Sequence, residues 1–394
     1  MFFQIIIATL VGIGLGIVTG LIPGIHVNLI SILLLSISGI LLKYSSPTLV
    51  SVIIIAMAVT HTFLDTIPSV FLGAPEAETA LSILPGHKLL LEGKGVEAVL
   101  LTVVGSFGGL ILAILCVPFL VGIVRFVYPY IQSYIGWILL LVSVYMIIRD
   151  KNPFWSIIIF TASGLLGWFV LNLPSEQMLF PLLSGLFGLS MLLVSLKDKV
   201  SIPVQELSCI KTENMAQALP CALAIGWIAS FLPGLGPAQA AIIGSEIIKV
   251  TERGFLILVG ALSTVNMVLS LVTFYVLDKA RNGAIVTVSE IMDITPFSFV
   301  IFLGVAVLAG GVATILAVYL SKMFAKLITK VDYYKICLTV ISLIVVLVVV
   351  ISGWVGLLVL IISTALGIIP NVKNLSRSHM MGCLLVPVMI YFLF

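Results

Sequence analysis

The sequence predicts an all-α polytopic membrane protein made of two inverted-topology repeats, each a broken, re-entrant hairpin followed by about five transmembrane helices. Three observations predict it. Of 394 residues 61% are hydrophobic and 9% charged, against about 25% charged in a soluble domain. Apolar runs recur along the whole chain at the length of about 20 residues that a helix needs to cross a ~30 Å hydrocarbon core. Each half also opens on an apolar stretch interrupted by Pro-Gly, GLGIVTGLIPGIHVN at Pro23-Gly24 and AIGWIASFLPGLGPAQ at Pro233-Gly234.

In chain order, the first unit begins with the broken hairpin at residues 2–42. The apolar run follows Met1 without a basic leader, so it reads as retained and not as a cleaved signal peptide. Five spans follow at 48–67, 97–124, 133–149, 153–172 and 177–197, separated by Gly, Pro and charge. The polar stretch KDKVSIPVQELSCIKTEN separates this unit, 1–197, from the second, 215–394, with 198–214 as a cytoplasmic linker. The second unit repeats the plan with a hairpin at 215–249 and spans at 253–278, 296–320, 335–352, 354–370 and 380–394.

Gly16, Pro23 and Gly24 match Gly226, Pro233 and Gly234 at one constant offset. A hairpin that enters and leaves on one side adds no net crossing, so five remaining spans per unit turn the second unit upside down, as in many secondary transporters. The positive-inside rule supports this with loop charges alone. Of the nineteen lysines and arginines, all but Lys43, Arg125, Lys279 and Arg281 fall in loops that the scheme places in the cytoplasm.

Pro-Gly at membrane depth frees backbone groups, and such breaks persist only where protein or a water-filled cavity surrounds them. The helix restarts after each break, leaving N–H groups at Ile25 to Asn28 and Leu235 to Ala238 without intrahelical acceptors. A helix start carries roughly half a positive charge and suits an anion. Pro23, Gly24, Ile25, His26 and Asn28, with Pro233, Gly234, Gly236 and Gln239, are therefore the candidate substrate-binding residues. His61 and Asp65 lie four apart on one helical face, in a span where ionisable residues mark ion or substrate paths. Ser263 and Asn266 lie on a long apolar helix of the second unit. These four are the candidate ion-coupling residues. Each has a structural alternative: satisfying the opened backbone, or bridging helices as membrane Asn does.

Other signals are weak or lacking. The net charge of +3 points to no nucleic acid. Cys116, Cys209, Cys221, Cys337 and Cys383 have neither disulfide nor metal spacing. HExxH, GxSxG and the Walker A lysine do not occur, so neither an enzyme nor an ATP-driven pump is indicated and no cofactor is expected. His87 and His379 read as loop residues, and SRSHMMG as an interface segment.

Three segments carry a resemblance to a known family: GLIPGIHVNLISILLL, PSVFLGAPEAETALSILPGHKLLLEGKGVEAVLLTVVGSFGG and ASFLPGLGPAQAAIIGSE. The chain resembles the large membrane subunit of the tripartite tricarboxylate transporter family, and more closely its archaeal branch. The resemblance implies ion-gradient-driven movement of organic anions at the cell membrane, in bacteria together with a small membrane subunit and an extracytoplasmic binding protein. Where bacterial members have an Asp-Gly-Tyr-Pro-like turn this chain has Leu84-Pro85-Gly86-His87; where they have an Asn pair and a second Pro-Gly loop it has Asn266 and then Arg281-Asn282-Gly283. The expected function is a secondary transporter of a small, carboxylate-like organic anion, coupled to sodium or protons. The alternative is a translocase for a lipid-linked phosphate such as a polyprenyl phosphate.

Overall fold

The computed structural model describes residues 2–22, 27–72, 83–173, 178–197, 203–206, 210–231, 236–280, 282–328, 333–373 and 375–393. Most of these residues are helical and none of them forms a strand. In the first half the helices are α1 (Phe2–Leu21), α2 (Val27–Ser36), α3 (Ser38–Tyr44), α4 (Pro47–Leu64), α5 (Thr66–Leu72), α6 (Ile83–Leu91), α7 (Gly95–Ile131), α8 (Ile135–Arg149), α9 (Pro153–Leu171), α10 (Leu179–Leu183) and α11 (Ser190–Lys197), the last two joined by the π-helical turn Ser184–Leu189. In the second they are α12 (Met215–Phe231), α13 (Pro237–Ile248), α14 (Glu252–Leu277), α15 (Gly283–Ile291), α16 (Pro296–Ile328), α17 (Tyr333–Lys373) and α18 (Gly382–Leu393).

Local chemistry sets the ends. Ser46 and Asn152 cap α4 and α9, each followed by a proline at the first helical position, and Thr251 and Asn282 cap α14 and α15. A capping side chain satisfies one otherwise orphaned N–H, and proline loses nothing there. Lys249 and Asp278 end α13 and α14 in the left-handed conformation. Gly353, at φ 65°, divides α17 into two span-length helices, at the residue where the sequence separates two spans.

Among the described residues seven segments are long and apolar enough to cross a membrane, and four shorter apolar helices accompany them. The expected span at 48–67 extends to Leu72 because α4 and α5 continue one another across Asp65. The spans expected to end at 124 and 320 run on to Ile131 and Ile328. Pro47–Leu72 and Glu252–Leu277 are 78% and 89% buried, against 28% to 39% for the other five, so α4–α5 and α14 form the centre.

Contacts fix the helix directions. Along α1, Gly12, Gly16 and Gly20 lie in turn against Ile53, Thr60 and Leu64, with no room for a Cβ, so α1 runs parallel to α4. Asn214, just before α12, lies against Gly254, and Gly226 against Leu262 and Val265, so α12 runs parallel to α14. Phe71 meets Gly95, and the Thr102 hydroxyl lies 3.2 Å from that of Thr66, so α7 runs back along α4–α5. Arg253 Nε pairs with Glu97 Oε1 at 2.8 Å and Gly260 abuts the Thr102 backbone, so α7 and α14 run together. It follows that α14 runs opposite to α4. The Phe71–Phe324 contact and the packing of Phe63 on Gly310 set α16 parallel to α4, and the stacking of Tyr275 on Phe299 at 4.3 Å turns α14 into α16.

At the periphery the halves exchange their last spans. Ser163 Oγ of α9 lies 3.1 Å from the His379 carbonyl oxygen, and Gly167 abuts the backbone of Cys383 in α18. Ser363 Oγ of α17 lies 3.2 Å from the Pro181 carbonyl oxygen, and Gly367 abuts the backbone of Leu186. Small residues at such crossings let backbones approach where lipid offers no hydrophobic drive for helix association.

Candidate functional site

The last turns of α4 read Thr60-His61-Thr62, continuing through Asp65 to Thr66 and Ser69 of α5, and the middle of α14 reads Ser263-Thr264, continuing to Asn266 and Ser270. The surrounding positions are mostly Val, Leu, Ile and Ala, which pack both helices into the core and carry these polar groups inside with them. The two helices meet where Thr62 Oγ1 and Thr264 Oγ1 are 3.3 Å apart. Thr62 also donates to the Val59 carbonyl at 2.9 Å. From α7, Ser106 donates to the Gly260 carbonyl at 3.0 Å, and Thr102 donates to Val99 O at 2.7 Å beside Thr66. Hydroxyls bonded this way satisfy backbone and side-chain groups that have no water to turn to.

His61, Asp65 and Ser263 are buried, and Asn266 is half-buried. One crossing therefore brings together the helix segments that carry all four predicted ion-coupling residues. At Asp65 the α-helix loosens by one residue: its N–H donates to His61 O at 3.0 Å and its carbonyl accepts from Ser69 Oγ at 2.9 Å. Thr60 faces Gly16 of α1, and Ser270 is buried one turn beyond Asn266 on α14.

Gly20, three residues before Pro23, leaves no room for a Cβ against Leu64 and lies 3.4 Å from Asp65 N by that measure. Of the predicted substrate-binding residues, Pro23, Gly24, Ile25, His26, Pro233 and Gly234 lie outside the described residues. Asn28 and Gln239 fall on the first turns of α2 and α13. Gly236 is extended and is the N-cap of α13, and it has no side chain with which to cap it. A cleft of ≈ 580 Å³ lies apart from the crossing, between α6, α13 and α14, with Lys88, Ser245 and Glu252 on its walls.

The structure corrects two readings. His87 and His379 are buried, not loop residues in solvent. His379 Nε2 lies 2.6 Å from Asp150 Oδ2, tying the α8–α9 connection to the start of α18. Arg377 is buried beside them, and burial lowers its guanidinium to about 10. Burial also lowers the His87 ring below its usual value, opposed by a backbone hydrogen bond at Val70 and reinforced by the charge of Arg377. Sequence gave no signal for the Asp150–His379 pair, whose members are 229 residues apart.

Asp150 lies outside the spans, and its carboxyl is held below the ordinary 3.8: burial raises it, but hydrogen bonds from His379, Ser376 N–H and Asn152 N–H and the attraction of His379 outweigh that. A carboxylate with a depressed folded-state value stabilises the fold above its unfolded value, and this stabilisation is lost as pH falls through the folded one. The thermal midpoint of Asp150→Asn is therefore expected below that of the unmodified protein at neutral pH. Below about pH 4 the difference should shrink. Midpoints measured in detergent from pH 7 to pH 3 check this; a constant difference would contradict it.

A bundle with seven membrane-length helices and a buried polar crossing at its centre belongs to the class of multi-pass membrane transport proteins. Residues 6–382 match the tripartite tricarboxylate transporter TctA family, and the chain belongs to it. The family is one of cell-membrane transporters, not of enzymes, and it works with a binding protein and a small membrane subunit. The chain is also similar to a protein of Methanocaldococcus jannaschii described as uncharacterised, at 31% identity over 405 residues and 98% of each chain. No solved structure matches it.

Proposed function

We propose that this chain is a secondary transporter that moves a small carboxylate-like organic anion by alternating access, driven by a cation gradient. The observation that carries the proposal is the buried polar crossing of α4 and α14. Thr62 and Thr264 join there at 3.3 Å, and the buried side chains of His61, Asp65 and Ser263 lie on the same helix segments. The starts of α2 and α13, with Gly24 to Asn28 and Gly234 to Gln239 apart from Pro237, which has no N–H, would donate backbone N–H groups to the anion. Ser263 and Asn266, with His61 and Asp65, would serve the coupling cation, sodium or a proton.

The opposed directions of α4 and α14 support two units of inverted topology, 1–197 and 215–394, joined by the linker 198–214. So does the parallel course of each opening helix, α1 along α4 and α12 along α14, which returns the two hairpins to opposite sides. Rocking or gating of such units about a fixed central site is the usual form of alternating access. A small membrane subunit and an extracytoplasmic binding protein are the partners this reading allows. No observation favours the lipid-linked phosphate reading.

Reconstitution of the full chain in liposomes tests the proposal. Labelled citrate or succinate is expected to accumulate under an inward sodium or proton gradient, and to exchange with unlabelled anion preloaded inside. Neither accumulation nor exchange of any di- or tricarboxylate, in sealed vesicles holding folded protein, would overturn it.

A further inference from the structure

We infer that the coupling ion is a proton carried by Asp65 with His61, and that the first half alone supplies the carrier, so that one proton crosses with each anion. The inference rests on the anion-transport reading above and adds the ion and its number. Its first support is placement. Among the described residues Asp65 and His61 are the acidic and imidazole side chains buried within a span and away from its ends, at 1% and 3% exposure. Asp65 lies about 27 Å along the helix from Pro47 and about 10 Å from Leu72, at 1.5 Å per residue. His61 stands one turn before it on the same face, within about 5–6 Å between Cβ atoms. Chains of Asp, Glu and His at such depth make the proton relays of pumps and transporters.

The second support is the lack of a counterpart. Gly16 seats α1 on Met57 and Thr60, and Gly226 seats α12 on Leu262 and Val265. Superposing these seats brings His61 onto Asn266 and Asp65 onto Ser270, an amide and a hydroxyl that carry no exchangeable charge. The polar layer is shared between the halves, but the protonatable pair is not.

Other charged groups lie on the helices packed around α4 and α5, among them Glu290 of α15, which is exposed. On α7 and α14, Glu97 is paired with Arg253 at 2.8 Å. Lys88 of α6 is paired with Glu252 at 2.7 Å, and His87 lies beside Val70, beyond Asp65 along α5. Lys43 of α3 sits at the opposite end of α4, and Lys322 and Lys326 of α16 are exposed. Helices α1 and α2 bring no charged residue of their own. His26, Glu76 and Glu78 lie outside the described residues.

The experiment uses the full chain in sodium-free proteoliposomes with the potential clamped at zero and a pH dye in the lumen, and reads citrate uptake. One proton per anion supports about tenfold more accumulation for each unit of pH difference, and two protons about a hundredfold. The unmodified protein is expected to show the tenfold slope and to acidify the lumen by one proton per anion. Asp65→Asn is expected to take the ratio of protons to anions from about one to zero, and Asp65→Glu to keep it near one. Accumulation that follows the sodium gradient and ignores pH would overturn the inference while leaving anion transport standing. A hundredfold slope, or a ratio near one in Asp65→Asn, would overturn it as well. If Asp65→Asn moves no anion at all, the slope and dye signal of the unmodified protein decide. No uptake or exchange under either gradient would overturn the transport reading itself, and this inference with it.

Discussion

Alanine at Gly105 or at Gly260 is expected to cost about 3 kcal/mol or more and to leave little folded protein. These residues form the closest approach in the molecule's centre, where α7 and α14 touch backbone to backbone. A Cβ on Gly105 would strike the Ile257 carbonyl, with its carbon at 2.8 Å and Ala261 N at 3.0 Å. A Cβ on Gly260 would strike the Thr102 carbonyl, with its carbon at 2.8 Å. Neither obstacle is the end of a flexible side chain, so relief requires one helix to move off the other. That movement would also break the Ser106 hydrogen bond to Gly260 O and the Glu97–Arg253 pair. Gly14 is the control: nothing lies within 4 Å of its Cβ position, and alanine there should be neutral or stabilising by up to about 1 kcal/mol, as in any exposed helix. Monodisperse yield and thermal midpoint in detergent make the comparison. Equal behaviour of Gly105→Ala and Gly14→Ala would contradict the packing described here.

Leucine at Asn266 is expected to lower transport efficiency by about 10- to 100-fold while leaving the thermal midpoint nearly unchanged. Leucine keeps the branched shape of asparagine with methyl groups in place of the amide oxygen and nitrogen, and a somewhat larger apolar residue is compatible with a half-buried position on α14. What the substitution removes is one amide at the polar crossing. A hydrogen bond to a charged partner contributes about 1.5–3 kcal/mol, which is roughly a factor of ten to a hundred in binding. Uptake of labelled citrate at subsaturating concentration, with the midpoint measured on the same preparation, separates loss of a site from loss of a fold. Unchanged uptake would remove Asn266 from the site; a large fall in midpoint would make it a helix bridge instead.

The sequence told much about the spans because membrane solvation is unforgiving. Apolar runs bounded by Pro47, Pro153 and Pro296 became helices with a proline in their first turn, and Gly353 divides two spans in the sequence and in the structure. What it could not tell was which spans meet. The pairing of α7 with α14 depends on Gly105, Gly109 and Gly260, which read locally as small residues in an apolar run. Their partner lies about 150 residues away, and periodicity contains no such information. The exchange of last spans, through Ser163 with His379 and Ser363 with Pro181, is hidden for the same reason.

For the site, polar groups inside spans stood out against their apolar surroundings, so His61, Asp65, Ser263 and Asn266 could be named from the sequence. That Thr62 reaches across to Thr264 could not. A threonine in a membrane helix most often bonds its own preceding turn, as Thr62 also does to Val59, and nothing local marks one that reaches across. His379 was misread because its carboxylate partner comes from a distant loop, Arg149-Asp150-Lys151, whose charges suggested solvent.

The most direct test of the central claim is a structure of the full chain in a lipid nanodisc with citrate at saturating concentration. The account predicts density for the anion at the crossing of α4 and α14, about 3 Å from the donors it would use, the first N–H groups of α2 and α13. Citrate in the cleft beside Lys88 and Glu252, with the crossing closed and empty, would contradict it.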